Sequence, residues 1–111
     1  MTSMKKSIHI LETIRLKPEF CTPEAALKAA QAYDDSVDDH GHAATGHIDH
    51  AHFYFDESEG VLRITYPWAD RLSFKALIEG EDAGGLLDEW HTKYAEGPRS
   101  ISVTEELPVE V

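Results

Sequence analysis

Val61-Leu62-Arg63-Ile64-Thr65-Tyr66-Pro67-Trp68-Ala69-Asp70-Arg71-Leu72-Ser73-Phe74 is the stretch that decides how this chain folds. Its first six residues are β-formers in which Arg63 and Thr65 alternate with apolar side chains, the period of a half-buried strand. After Pro67-Trp68, Asp70 can cap a helix that holds Leu72, Phe74, Leu77 and Ile78. Upstream, Asp56-Glu57-Ser58-Glu59-Gly60 separates the strand from the polar and aromatic segment His47 to Phe55, and the two segments read as a β-hairpin.

Farther out, Ser7 to Leu16 places Ile8, Ile10, Ile14 and Leu16 at period two, with Glu12 interrupting their face, and predicts a strand. Thr22 before Pro23 is an N-cap followed by a first helical residue. The apolar spacing of Leu27, Ala30, Tyr33 and Val37 carries that helix from Pro23 to about Asp38. Gly41 can stop it, and Gly41 to Gly46 reads as a loop. Downstream, Gly80 interrupts the helix that Asp70 opens. A second helical piece, Asp82 to Ala95, sets Leu86, Leu87, Trp90 and Tyr94 on one side, and Gly97-Pro98 ends it. Ile101, Val103, Leu107 and Val109 mark a last strand. The order β-α-β-β-α-β is the ferredoxin-like arrangement of the α+β class, a four-stranded antiparallel sheet with its helices on one face. The other face would show His9, Leu11, Thr13 and Arg15 with Ser100, Ser102 and Thr104, too polar for a deep core and suited to a dimer interface or to solvent.

A length of 111 residues corresponds to one domain, 1–111, able to bury a core without disulfide staples. The 10 Lys+Arg against 21 Asp+Glu leave a net charge of −11. Nucleic acid and anionic membranes are poor partners for such a chain, because binding phosphate requires clustered cations. Cys21 stands alone, so no internal disulfide forms and a cytoplasmic address is expected. Met1 to Lys6 is basic, but His9, Glu12 and Arg15 break the apolar stretch behind it, so neither a signal peptide nor a membrane span is expected there. No phosphate loop, dinucleotide fingerprint or nucleophile elbow occurs, and no cofactor is implied.

Leu16-Lys17-Pro18-Glu19 looks like a strand running through a Lys-Pro-Gly-type turn into a first helix, and Leu62 to Phe74 like a strand that ends in Trp before a capped helix. On these residues the chain resembles the antibiotic biosynthesis monooxygenase family. The resemblance implies a ferredoxin-like domain that pairs sheet against sheet into a homodimeric α+β barrel. It further implies a small apolar or aromatic ligand and, in part of the family, cofactor-independent oxygenation of phenolic or quinol substrates. In such enzymes the Trp matching Trp68 lines the cavity and its indole N–H can donate to the ligand, while cavity tyrosines bond its oxygen; Tyr66 is the candidate here. The family's haem-degrading branch would want an Asn on strand one and a His about ten residues after the Trp, and this chain has neither.

Glu12 is the first candidate base, since a carboxylate among aliphatic residues must be paired, hydrated or neutralised. Such a group could take a proton from a phenol. The plainer reading gives it a bulge open to water, or a partner such as Arg63 or Arg71. His50 and His52 would share one strand face about 7 Å apart, near enough for one metal, and either could serve as a base near neutral pH. A solvated polar hairpin is the plainer reading of the five histidines between His40 and His52. An alternative function follows: a non-enzymatic module that holds a divalent metal through the His/Asp-rich hairpin, or a structural or regulatory dimer. Trp68 likewise reads as a core aromatic or as a cavity wall, and both place it inside. Asp34, Asp35, Asp38 and Asp39 crowd the end of the first helix, where the dipole disfavours anions, and read as an exposed solubilising end or a weak cation site.

Overall fold

The computed structural model describes residues 7–41, 49–84, 88–107 and 109. The elements are β1 (Ile8–Arg15), α1 (Pro23–Gly41), β2 (His52–Asp56), β3 (Val61–Trp68), α2 (Arg71–Gly84), α3 (Asp88–Tyr94) and β4 (Ser100–Glu105), with a 3-10 turn at Pro18–Phe20. All pairings are antiparallel in the order β2-β3-β1-β4, as the ferredoxin-like reading requires.

Local chemistry sets the boundaries. Thr22 Oγ1 accepts a hydrogen bond from the Ala25 N–H at 3.2 Å, and Asp70 Oδ1 accepts one from the Ser73 N–H at 2.7 Å, so both helix starts carry the side-chain caps expected of them. Gly80 does not interrupt α2, which continues to Gly84. An internal glycine costs a helix about 1 kcal/mol, which neighbouring good formers can absorb. The last strand is also shorter than expected. Ile8, the first residue of β1, pairs with Glu105, so Leu107 and Val109 lie beyond the ladder and are exposed. In the hairpin, β2 starts only at His52. Gly60 closes the turn at φ 67°, and a Cβ there would stand 3.0 Å from Cys21 Sγ, two reasons for glycine at this position.

The same turn holds an ion cluster. Arg63 donates to Asp56 at 2.9 Å and to Glu59 at 3.3 Å, while Ser58 O–H and the Glu59 N–H also donate to Asp56. The Arg63 bond, then those from Ser58 and Glu59, lower the Asp56 pKa from 3.8 to about 2. A carboxylate with a depressed folded-state pKa contributes stability above its unfolded value and loses it as pH falls through the folded value. The melting-temperature difference between the native protein and Asp56→Ala is therefore expected to hold above pH 3.8 and to vanish as the pH drops toward 2. A difference that persists unchanged at pH 2 would contradict the assignment.

Register sorts the side chains into two faces. Ile8, Ile10, Glu12 and Ile14 of β1 stand opposite Trp68, Tyr66, Ile64 and Leu62 of β3, and these residues face the helices. Ala26, Ala29 and Ala30 form the buried stripe of α1, and their small size lets the helix lie close to the sheet. With Tyr33, Trp90, Ile14, Leu62 and Ile64 they make the larger core cluster. A smaller one, Ile8, Ile10, Trp68 and Phe74, lies toward α2. On the opposite face, Leu11, Thr13, Arg63 and Thr65 are half-buried, and His9, Arg15, Ser100, Ser102 and Thr104 are exposed. Among the described residues no helix is long and apolar enough to cross a membrane.

Candidate functional site

Glu12 is 1% exposed and, among the described residues, is the charged side chain buried in the core. It sits in β1 between Ile10, of the smaller cluster, and Ile14, of the larger. Its partners arrive from three elements. Tyr66 on β3 is the partner of Ile10 and hence a diagonal neighbour of Glu12; its hydroxyl donates to Glu12 Oε2 at 2.6 Å. Arg99, two residues before the Ile101 that pairs with Glu12, donates from Nη1 to Oε1 at 3.1 Å. From α1, the Tyr33 hydroxyl donates to the same oxygen at 3.0 Å. Arg99, at 12% side-chain exposure, also lies 3.4 Å from the Tyr33 oxygen. Burying a carboxylate is tolerable only with such compensation, and here both oxygens are supplied with donors.

Neither Arg63 nor Arg71 is the partner of Glu12. Arg63 is on the opposite face, held by Asp56 and Glu59, and Arg71 pairs with Glu105 at 3.0 Å. Arg99 was missed because it precedes its strand, yet it shares the parity of Ile101 and Val103, a signal present in the sequence.

Tyr66 links the carboxylate to an aromatic cluster. Its ring packs edge-on against Trp68 at 6.0 Å between centroids and tilted against Phe74 at 6.3 Å. Tyr66, Leu77, Ile78, Ile101 and Val103, which pack around this smaller cluster, are all only partly buried, so this end of the core is loosely closed. Trp68 is 4% exposed and gives its indole N–H to Ser73 Oγ at 3.1 Å, so this donor is engaged within the chain.

Solved structures share this arrangement of elements. A monooxygenase of Streptomyces coelicolor in complex with the ligand nanaomycin D superimposes with a TM-score of 0.72 at 10% identity, over 96% of this chain and 93% of that one. A protein of unknown function from Nitrosomonas europaea gives 0.64 at 19% identity over 96% and 95%. An antibiotic biosynthesis monooxygenase gives 0.62 at 12% over 91% and 99%. The fold is that of the antibiotic biosynthesis monooxygenase structures. No protein-family model and no curated protein matches the sequence.

Within this fold Glu12, Tyr66 and Trp68 come together on the helix-covered face, whereas the two histidines do not join them. His50 precedes β2, and its backbone N–H bonds Asp49 Oδ1 at 2.7 Å. His52 pairs with Thr65 and is exposed on the opposite face of the sheet. Among the described residues no group of three His, Cys, Asp or Glu side chains is placed to hold a metal ion. His42 and His47 lie outside the described residues, as do the side chains of Asp38, Asp39 and His40, and Leu86 and Leu87. A separate open groove of about 570 Å³ runs between α1 and the sheet edge, lined by Ala26, Leu27, Phe53, Phe55 and Leu62 among others; none of the candidate site residues lines it.

Proposed function

We propose that this chain is one domain of a homodimeric α+β barrel that binds a small aromatic molecule at Trp68 and Tyr66 and oxygenates a phenolic or quinol substrate without a cofactor. The observation that carries the proposal is the Glu12 carboxylate, buried in the core yet joined through Tyr66 to the loosely closed aromatic cluster. The shared fold with solved monooxygenases supports it. Glu12, and not the exposed His50 or His52, is the base in this reading. Its oxygens are covered, so a substrate proton reaches it in relay: the phenol's proton passes to the Tyr66 oxygen as the Tyr66 proton passes to Glu12 Oε2. The resulting anion is the reductant for molecular oxygen: one oxygen atom enters the ring, which is oxidised to the quinone or hydroxyquinone, and the other leaves as water with the two hydrogens that the substrate gives up.

Binding of 1-naphthol measured by calorimetry tests the site. Trp68→Ala is expected to weaken it by roughly tenfold or more, the worth of one aromatic stacking surface. A joint His50→Ala, His52→Ala change should leave it unaltered. Oxygen uptake with 1,4-dihydroxynaphthalene should fall to the autoxidation background in Glu12→Gln. Unchanged naphthol binding by a folded Trp68→Ala protein would defeat the proposal. For the dimer, the polar outer face with half-buried Leu11, Thr13 and Thr65 is the proposed contact, and light scattering is expected to give twice the 12.4 kDa chain mass; a mass of one chain is the contrary result.

A further inference from the structure

The sheet face away from the helices carries bases with no carboxylate to spare for them. By register, His52, Thr65, Leu11 and Ser102 form one row across the strands, Pro67, His9 and Thr104 the next, and Tyr54, Arg63, Thr13 and Ser100 the row on the other side. His9 thus stands about 7 Å along β1 from Leu11. Both imidazoles are exposed, and among the described residues neither pairs with a carboxylate. Around His9 lie Thr104 and Ser102 of β4, Pro67 and Thr65 of β3, and Leu11; around His52 lie Thr65 and Arg63 of β3 and Tyr54 of its own strand. Arg15 adds a further positive charge to this face. The nearest carboxylates are engaged or lie past it. Asp56 and Glu59 hold Arg63, Asp49 accepts the His50 N–H, and Glu106 follows the last residue of the β4 ladder.

From this we infer that His9 and His52 make self-association proton-sensitive: two copies pair through this face while the imidazoles are neutral and separate when they are protonated. The inference rests on the dimer proposed above. In a two-fold contact the same patch lies on both sides, so whichever way the axis runs this face meets itself. An imidazolium would then leave water for a surface that offers it only arginines and other imidazoles, and both desolvation and like charge favour the neutral form. The imidazole pKa is therefore lower in the dimer than in the free chain, and association, complete above the free value, is lost as pH falls below it. Total charge predicts the opposite. Protonating all seven histidines brings the net charge of −11 seven units closer to zero, so repulsion between whole chains weakens in acid. At about 0.15 M salt that long-range effect is screened beyond about 8 Å, while groups inside a contact are screened much less. Asp56, with its pKa at about 2, stays ionised meanwhile, and Arg63 keeps its partner.

Sedimentation equilibrium of the native chain at about pH 7.5 and about pH 5.5, in about 0.15 M salt, tests the inference. An imidazole kept neutral in the dimer weakens association about tenfold at one unit below its ordinary value of about 6.5, and a two-fold contact contains each residue twice. His9 alone is thus expected to raise the dissociation constant about a hundredfold at the lower pH. In the joint variant His9→Gln, His52→Gln, whose amides are uncharged at either pH, the two constants should agree within about threefold. Thr104→Glu, which sets a carboxylate across from His9, should lose less association at the lower pH than the native chain does. A native dimer that holds equally well or more tightly in acid would overturn the inference while leaving the dimer standing. So would a hundredfold loss that survives in the joint variant, because another group would then be responsible. A single-chain mass at both pH values removes the dimer and the inference with it. Should the joint variant fail to fold, Thr104→Glu decides: a pH ratio unchanged from the native one excludes His9.

Discussion

Arg99→Ala is expected to lose about 3 kcal/mol of folding stability, the scale on which removing one partner of a buried pair strands the other charge. Glu12 would keep two phenolic donors but lose its counter-charge in a core position that is 1% exposed. Urea unfolding followed by circular dichroism measures the loss. The informative companion is the double variant Glu12→Met, Arg99→Met. It removes both charges and should be more stable than Arg99→Ala, because an apolar replacement of a buried pair is often neutral, whereas a half-removed pair is not. Two phenols would then lack their acceptor, so the recovery stays incomplete. If Arg99→Ala lies within about 1 kcal/mol of the native protein, water has reached Glu12 and the buried-pair description is wrong.

Trp90→Ala is expected to have an effect at least as large, about 3–5 kcal/mol, as for other buried large-to-small changes. Trp90 is 4% exposed, donates its indole N–H to the Ala29 carbonyl at 2.9 Å, and packs edge-on against Tyr33 at 5.0 Å. No alanine on the facing stripe of α1 can move in to fill the space. For a domain with roughly 5–15 kcal/mol in total, such a loss leaves little reserve. The melting temperature should drop by roughly 15 °C or more. Trp90→Phe, which keeps most of the volume and loses the hydrogen bond, should cost about 1 kcal/mol. A Trp90→Ala protein that melts within a few degrees of the native one would show that α3 is not part of the cooperative core.

The topology was legible because its punctuation is chemical. Thr22-Pro23, Asp70 and Gly60 each act within a few residues, and all three do what their side chains or backbone freedom predict. Element ends were less legible where they depend on a partner. Leu107 and Val109 have strand-like spacing, but the ladder ends at the Ile8–Glu105 pair. His50 has the right parity to join His52, yet β2 begins after it. The site divided in the same way. Glu12 announced itself as a charge on an aliphatic face, whereas Tyr66 and Trp68 were singled out through the resemblance to the monooxygenase family. Arg99 needed the register of β4 on β1, and Tyr33 needed the rotation of α1 over the sheet, two long-range quantities that a local pattern does not encode.

The Glu12 network also divides the interior. One side is the close-packed layer of Ala26, Ala29, Ala30 and Trp90 against Ile14, Leu62 and Ile64; the other is the smaller aromatic cluster toward α2. Because close-packed apolar interiors transmit strain, a continuous core would carry every change beneath α2 into the rest of the fold. A partition built from directional bonds confines such changes to one compartment. Substitutions on the α2 side can then be absorbed there while the α1 and α3 side keeps the chain folded.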